Sequence, residues 1–160
     1  MPHDGLVDAV DARILLELAE HPRATTLAIA GRVGISRNTA QSRLARLEGS
    51  GALEPFEYCI SPAALGYPLA AFITAQVTQR RLDEVAVALA DVPEVLQVQG
   101  ISGPVDLLIQ VVARDADDLY RIAGQVLAIP GVERTNTALV MRKLVDYRIA
   151  PLLHRSTERR

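Results

Sequence analysis

The sequence predicts an α+β protein in two parts, and three observations carry that prediction. Residues 8–48 hold three stretches of helical apolar spacing punctuated by Pro22 and Gly34. Residues 69–141 hold runs of strand character interleaved with two helical ones, and Val92-Pro93-Glu94-Val95 and Ile129-Pro130-Gly131-Val132 recur after each helix. Cys59 is the single cysteine, so neither an intramolecular disulfide nor a cysteine-rich zinc site organises the fold. With 49% hydrophobic residues in 160, the chain relies on packed cores instead.

The first helix is expected over 8–20, where Val10, Ile14, Leu15 and Leu18 form one stripe and His21-Pro22 stops it. Thr25 or Thr26 caps a short second helix with Leu27, Ile29, Ala30 and Val33, and Gly34 ends it in a tight turn. Ser36 caps a third, whose Ala40, Leu44 and Leu47 share a face that must be buried. Its other side carries Asn38, Gln41, Ser42, Ala45 and Arg46, with Thr39 beside them and Arg37 and Arg43 on the flanks. Small side chains allow close approach, amides and hydroxyls suit base edges, and arginines suit phosphate or guanine. Ser36, Arg37, Asn38, Thr39, Gln41, Ser42, Arg43 and Arg46 are therefore candidate contacts to double-stranded DNA. The competing reading is a solvated helix of an all-helical domain. Alternation from Ala52 to Ile60 reads as a β-hairpin, which makes residues 1–60 a winged helix-turn-helix. Residues 61–67 read as a linker.

Residues 68–148 form the second predicted domain. Ala71, Ile73, Ala75 and Val77 alternate with Phe72, Thr74, Gln76 and Thr78, as a strand requires. A helix follows with Leu82, Val85, Ala86 and Leu89, then strands opening near Val92 and covering Val105 to Ala113, joined by Ser102-Gly103-Pro104. Asp115 caps a second helix, and a final strand runs from Ile129 to about Met141. This βαββαβ order is the ferredoxin-like pattern with an antiparallel sheet. Helices cover one face only, and apolar or small residues on both sides of several strands predict a homodimer through the other. Residues 149–160 are read as a C-terminal tail, whose stretch from Leu152 to Arg160 is expected to be loose, with Arg155, Arg159 and Arg160 adding phosphate contact.

The formal charge of -2 excludes general coating of polyanions, and residues 1–60 carry six Arg against eight Asp and Glu, so nucleic-acid binding must depend on a local patch and on orientation. The N-terminal residues show no secretory leader and no stretch spans a membrane, which makes the expected location cytoplasmic.

Three motifs in the first half, Asp8-x-x-Asp11-x-x-Ile14-Leu15, Val33-Gly34-Ile35-Ser36 and Arg43-Leu44-x-Arg46-Leu47-Glu48-x-x-Gly51, resemble the Lrp/AsnC family of feast/famine transcriptional regulators. Gly103-x-x-Asp106, Pro130-Gly131-Val132, Thr135-x-Thr137 and Val140 extend the resemblance, which runs from Asp8 to about Tyr147. It implies dimers through the sheets, often assembled into octamers, and a small effector, usually an amino acid, bound between regulatory domains. It places the effector loop on Ser102, Gly103, Pro104 and Asp106, with Thr135 and Thr137 as further candidates. Backbone N–H groups of such a turn can hold a carboxylate and Asp106 can meet an ammonium group. Alternatively, Gly103 only makes the turn and Asp106 only caps it. Pro104 departs from the family pattern, where polar residues are common, and removes one N–H donor.

Two other functions compete. Haem-pathway decarboxylases share a similar two-domain plan but use histidines near a tetrapyrrole. His3, His21 and His154 all lie outside 68–148, so no catalytic residue, cofactor or metal ligand is assigned. An architectural DNA-binding protein without an effector is the second.

Overall fold

Asp8 opens the first helix of a computed structural model that describes residues 7–158; His3, Arg159 and Arg160 lie outside the described residues. The Asp8 carboxylate accepts from the N–H groups of Val10 and Asp11, each at 2.8 Å, while the Asp11 carboxylate accepts from the Asp8 N–H at 3.0 Å. This reciprocal capping box starts α1 (Ala9–Glu20), which ends at His21 ahead of Pro22. Thr25 caps α2 (Thr26–Val33), and Gly34 closes it at φ 77°, a left-handed conformation that glycine adopts without steric cost. Ser36 caps α3 (Arg37–Gly49), its Oγ accepting from the Thr39 N–H at 3.1 Å. Ile14, Ile29, Val33 and Leu47 form the core of this helical unit, with Leu44 packed against it.

The expected hairpin over 52–60 is absent. The segment instead carries a 3-10 turn, Phe56–Cys59, in which the Tyr58 N–H bonds to the Pro55 carbonyl. Proline has no N–H to contribute to a strand ladder, so alternation alone misread the segment as a wing. The expected loose tail is also replaced by structure, because residues 150–157 form α6 (Ala150–Thr157) with Pro151 in its first turn. Leu153 is buried, and α6 packs on α1. The chain thus divides into one unit of Met1–Tyr58 with Val145–Arg160 and a second of Cys59–Leu144.

The second unit follows the βαββαβ order: β1 (Leu69–Val77), α4 (Leu82–Ala90), β2 (Val95–Gly100), β3 (Leu107–Ala113), α5 (Ala116–Leu127) and β4 (Val132–Leu139). The sheet is β2-β3-β1-β4 with every neighbour antiparallel. Ala71, Ile73 and Ala75 face Val111, Ile109 and Leu107 across the β1/β3 pair, and all six are buried with Val85, Leu89, Ile122 and Val126 of the two helices. Phe72, Thr74 and Gln76 occupy the reverse face, opposite Gln110 and Leu108 on β3 and Ala138, Asn136 and Arg134 on β4. These residues are exposed or half-exposed, whereas Val112, further along β3, is buried.

β4 is shorter than expected at both ends. The repeated tetrapeptides also differ in backbone: Gly131 sits at φ 106°, and a Cβ there would lie 3.0 Å from Arg81 and Val85 side-chain atoms. Only glycine satisfies both demands. Glu94, in the matching place of the other repeat, instead pairs with Arg121, which with Arg114 also binds the buried Asp118. Arg114, then Arg121, holds the Asp118 carboxyl well below the usual carboxylate range.

Candidate functional site

The third helix of the N-terminal unit is oriented by its buried stripe. Ala40 and Leu47 are fully enclosed and Leu44 half-buried, so at about 100° per residue the opposite face must turn outward. Asn38, Gln41, Ser42 and Ala45 are accordingly exposed, as are Arg37 and Arg46. Thr39 and Ser36 share a hydroxyl contact of 2.8 Å at the helix start, and the Ser42 hydroxyl donates to the Thr39 carbonyl at 3.2 Å. These bonds preorder the small polar groups at the exposed turn. No carboxylate interrupts the face between Arg37 and Arg46.

Two of the candidate arginines have partners on α1. The half-buried Arg43 reaches Asp8 at 2.6 Å and Asp11 at 2.9 Å, and Arg46 also pairs with Asp11. The Arg43 guanidinium, with smaller help from backbone N–H groups, lowers the Asp8 carboxyl from 3.8 to about 2. Asp8, then Asp11, raises Arg43 in turn. Neither aspartate was among the sequence candidates, although Asp-x-x-Asp ahead of an apolar run already signals a capping box. What the spacing could not reveal is that both carboxylates also reach α3.

In the second unit the turn between β2 and β3, which carries Ser102 and Gly103, brings Pro104 and Asp106 to the end of β1. Gly103 has φ 128°, the Ile101 N–H bonds to the Asp106 carbonyl, and the Asp106 N–H bonds to the Ala75 carbonyl. Both Asp106 carboxylate oxygens are engaged, one by the Val77 N–H and one by the Gln79 amide, each at 2.8 Å. The carboxylate therefore pins the loop to β1. A cavity of about 240 Å³ opens on the reverse face of the sheet, lined by Thr74, Gln76, Pro104, Val105, Arg134, Thr135 and Asn136. Pro104 and Thr135 meet there, and Gln76 donates to the Pro104 carbonyl at 2.7 Å. Ser102, Gly103, Asp106 and Thr137 do not line it; Thr137 pairs with Ile73 on the helix-covered side of the sheet. Gln76, Arg134 and Asn136 were missed because a polar residue on an alternating strand is ordinary until its neighbours across the sheet are known. Among the described residues no group of three or more His, Cys, Asp or Glu is placed to hold a metal.

Comparisons with known proteins agree with both halves. The AsnC-type helix-turn-helix domain matches residues 7–48 and the Lrp/AsnC ligand binding domain matches residues 70–150. The HTH-type transcriptional regulator FL11 of Pyrococcus horikoshii is 31% identical over 85% of this chain and 90% of its own. A transcriptional regulator of Neisseria meningitidis, solved as an L-methionine complex, superposes with a TM-score of 0.78 at 25% identity, covering 88% of this chain and 93% of that one. A feast or famine regulatory protein of M. tuberculosis complexed with L-methionine gives 0.77 at 26%, covering 89% and 97%. The matched domains and relatives are transcriptional regulators rather than enzymes, which removes the decarboxylase alternative. The chain belongs to the Lrp/AsnC family and is a DNA-binding transcriptional regulator.

Proposed function

We propose that this regulator reads a specific operator with α3 and changes its occupancy when a small carboxylate-bearing effector, an amino acid, binds the C-terminal unit. The observation that carries the DNA half is the outward face of α3, polar and free of carboxylates from Arg37 to Arg46. Asn38, Gln41 and Ser42 meet base edges, and Arg37 and the capped first turn at Ser36 and Thr39 meet phosphate, while Arg43 and Arg46 flank this face paired with Asp11. The effector half rests on the loop of Ser102, Gly103, Pro104 and Asp106 beside a cavity whose one cation is Arg134. Thr135 lies at its wall, whereas Thr137, two residues on in the same strand, does not line it. The L-methionine complexes of two structural neighbours support an amino acid as the first class of ligand to test.

The protein acts as a homodimer through the reverse face of its sheet, where Phe72 is 37% exposed at the centre of β1, and further association to an octamer follows the same family plan. As a DNA-binding regulator it works in the cytoplasm. Among the described residues no helix is long and apolar enough to cross a membrane.

Fluorescence anisotropy on the DNA upstream of its own gene and on scrambled DNA, over a salt series and with a panel of amino acids, tests the proposal. Salt-steep binding that prefers the upstream DNA and shifts with one amino acid is the expected result. Equal binding to both DNAs with no response to any ligand establishes the architectural role instead.

A further inference from the structure

Asp11 is fully buried, and an enclosed carboxylate is costly unless its charge is answered. Arg43 meets one of its oxygens at 2.9 Å, Arg46 meets the other, and the Asp8 N–H adds a bond at 3.0 Å. The same Arg43 nitrogen reaches Asp8 at 2.6 Å. Arg43 and Arg46 stand three residues apart on α3, on neighbouring turns. A helix held by one such contact can still roll about its axis, whereas two contacts to one fixed, buried carboxylate set both its roll and its height. Asp11 is itself fixed, because it belongs to the capping box that begins α1.

We infer that Asp11, seconded by Asp8, is a positioning residue for DNA recognition: through Arg43 and Arg46 it sets the roll of α3, and with it the direction in which Asn38, Gln41 and Ser42 present themselves. The inference rests on α3 being the recognition helix. It assigns Arg43 to orientation, since its charge is already answered by two carboxylates, and leaves phosphate neutralisation to outward cations such as Arg37. A base contact depends on direction and a phosphate contact far less, so loosening the latch costs sequence preference and spares the salt dependence.

The test is anisotropy with the full chain on the upstream and scrambled DNAs over a salt series, comparing wild type with Arg43→Gln, Arg43→Lys, Asp8→Ser, Asp11→Asn and Arg37→Ala. Serine keeps the N-cap at position 8 while removing the carboxylate. Arg43→Gln and Asp11→Asn should reduce the preference for upstream over scrambled DNA about tenfold, the scale of one lost base contact, with an unchanged salt slope. Asp8→Ser should reduce it less, and Arg43→Lys should recover part of it. Arg37→Ala should lower the slope of log K against log salt by about 0.9, one phosphate's worth. A slope reduced in Arg43→Gln at unchanged preference overturns the inference, because Arg43 would then grip phosphate. Unchanged preference in both Arg43→Gln and Asp8→Ser also overturns it. Should Asp11→Asn melt early, Arg43→Gln and Asp8→Ser decide the matter, since those side chains are 26% and 52% exposed and their loss leaves the cap in place. A wild type without preference for the upstream DNA overturns the recognition helix itself, and the latch with it.

Discussion

At position 8 one carboxylate serves two ends, capping α1 and holding Arg43, and the second role gives it a pH signature. Its pKa is lowered from 3.8 to about 2, so the stability it contributes is fully present above about pH 4 and is lost as pH falls toward 2. Half of the side chain is exposed and the pair is screened, which keeps the contribution below about 1 kcal/mol. Denaturant melts should therefore show Asp8→Asn slightly less stable than wild type at pH 7, with the gap closing by pH 2; a gap that widens on acidification contradicts the ion pair. Gln41 lies on the outward face of α3 and makes a different kind of prediction. Gln41→Ala should weaken upstream DNA by about 1 to 3 kcal/mol while leaving scrambled DNA and thermal stability unaltered, as measured by anisotropy and melting.

Helix α6 shows how an element can depend on its neighbour. Eight residues are too few for a stable isolated helix, so its existence rests on packing against α1, with Leu153 as the buried residue. Leu153→Ala should destabilise the helical unit by about 2 to 3 kcal/mol, the lower part of the range for core truncations because the site retains some exposure. Hydrogen exchange should then rise in α6 and α1 together. The β2–β3 turn is an element of the opposite kind, held by its own chain: Asp106 spends both oxygens on Val77 and Gln79. The carboxylate thus ties the turn to the end of β1 rather than capping the turn itself, and any role toward a ligand must be compatible with those two bonds.

For the whole molecule, the decisive feature is a four-stranded sheet with helices on one face only. Phe72, at the middle of the reverse face, is the point where a charge should matter most. On the proposed dimer, wild type should elute as a dimer and Phe72→Asp as a monomer in light scattering coupled to size exclusion, with near-native far-ultraviolet circular dichroism and weaker binding to upstream DNA by the loss of bivalency. A dimer persisting at micromolar concentration would place the interface elsewhere. The net charge of -2 is compatible with DNA binding through an oriented helix with a local basic margin, which needs no basic surface overall.

The amino-acid sequence by itself determined the order and type of α1 to α5 and of the sheet strands, because apolar period, stop signals such as His21-Pro22 and Gly34, and the start signal Ser36 act within a few residues of one another. It also determined which side of α3 faces out, since Ala40, Leu44 and Leu47 leave one geometric choice. Only the tertiary structure decided the rest. Pro55 turned an alternating run into a 3-10 turn, and a tail read as loose became α6 because α1 lay ready to receive Leu153. Asp11 meets Arg43 and Arg46 across 32 and 35 residues, and the cavity beside Pro104 draws its wall from three separate segments. Such contacts depend on distances through space, to which a one-dimensional pattern of residue types is blind.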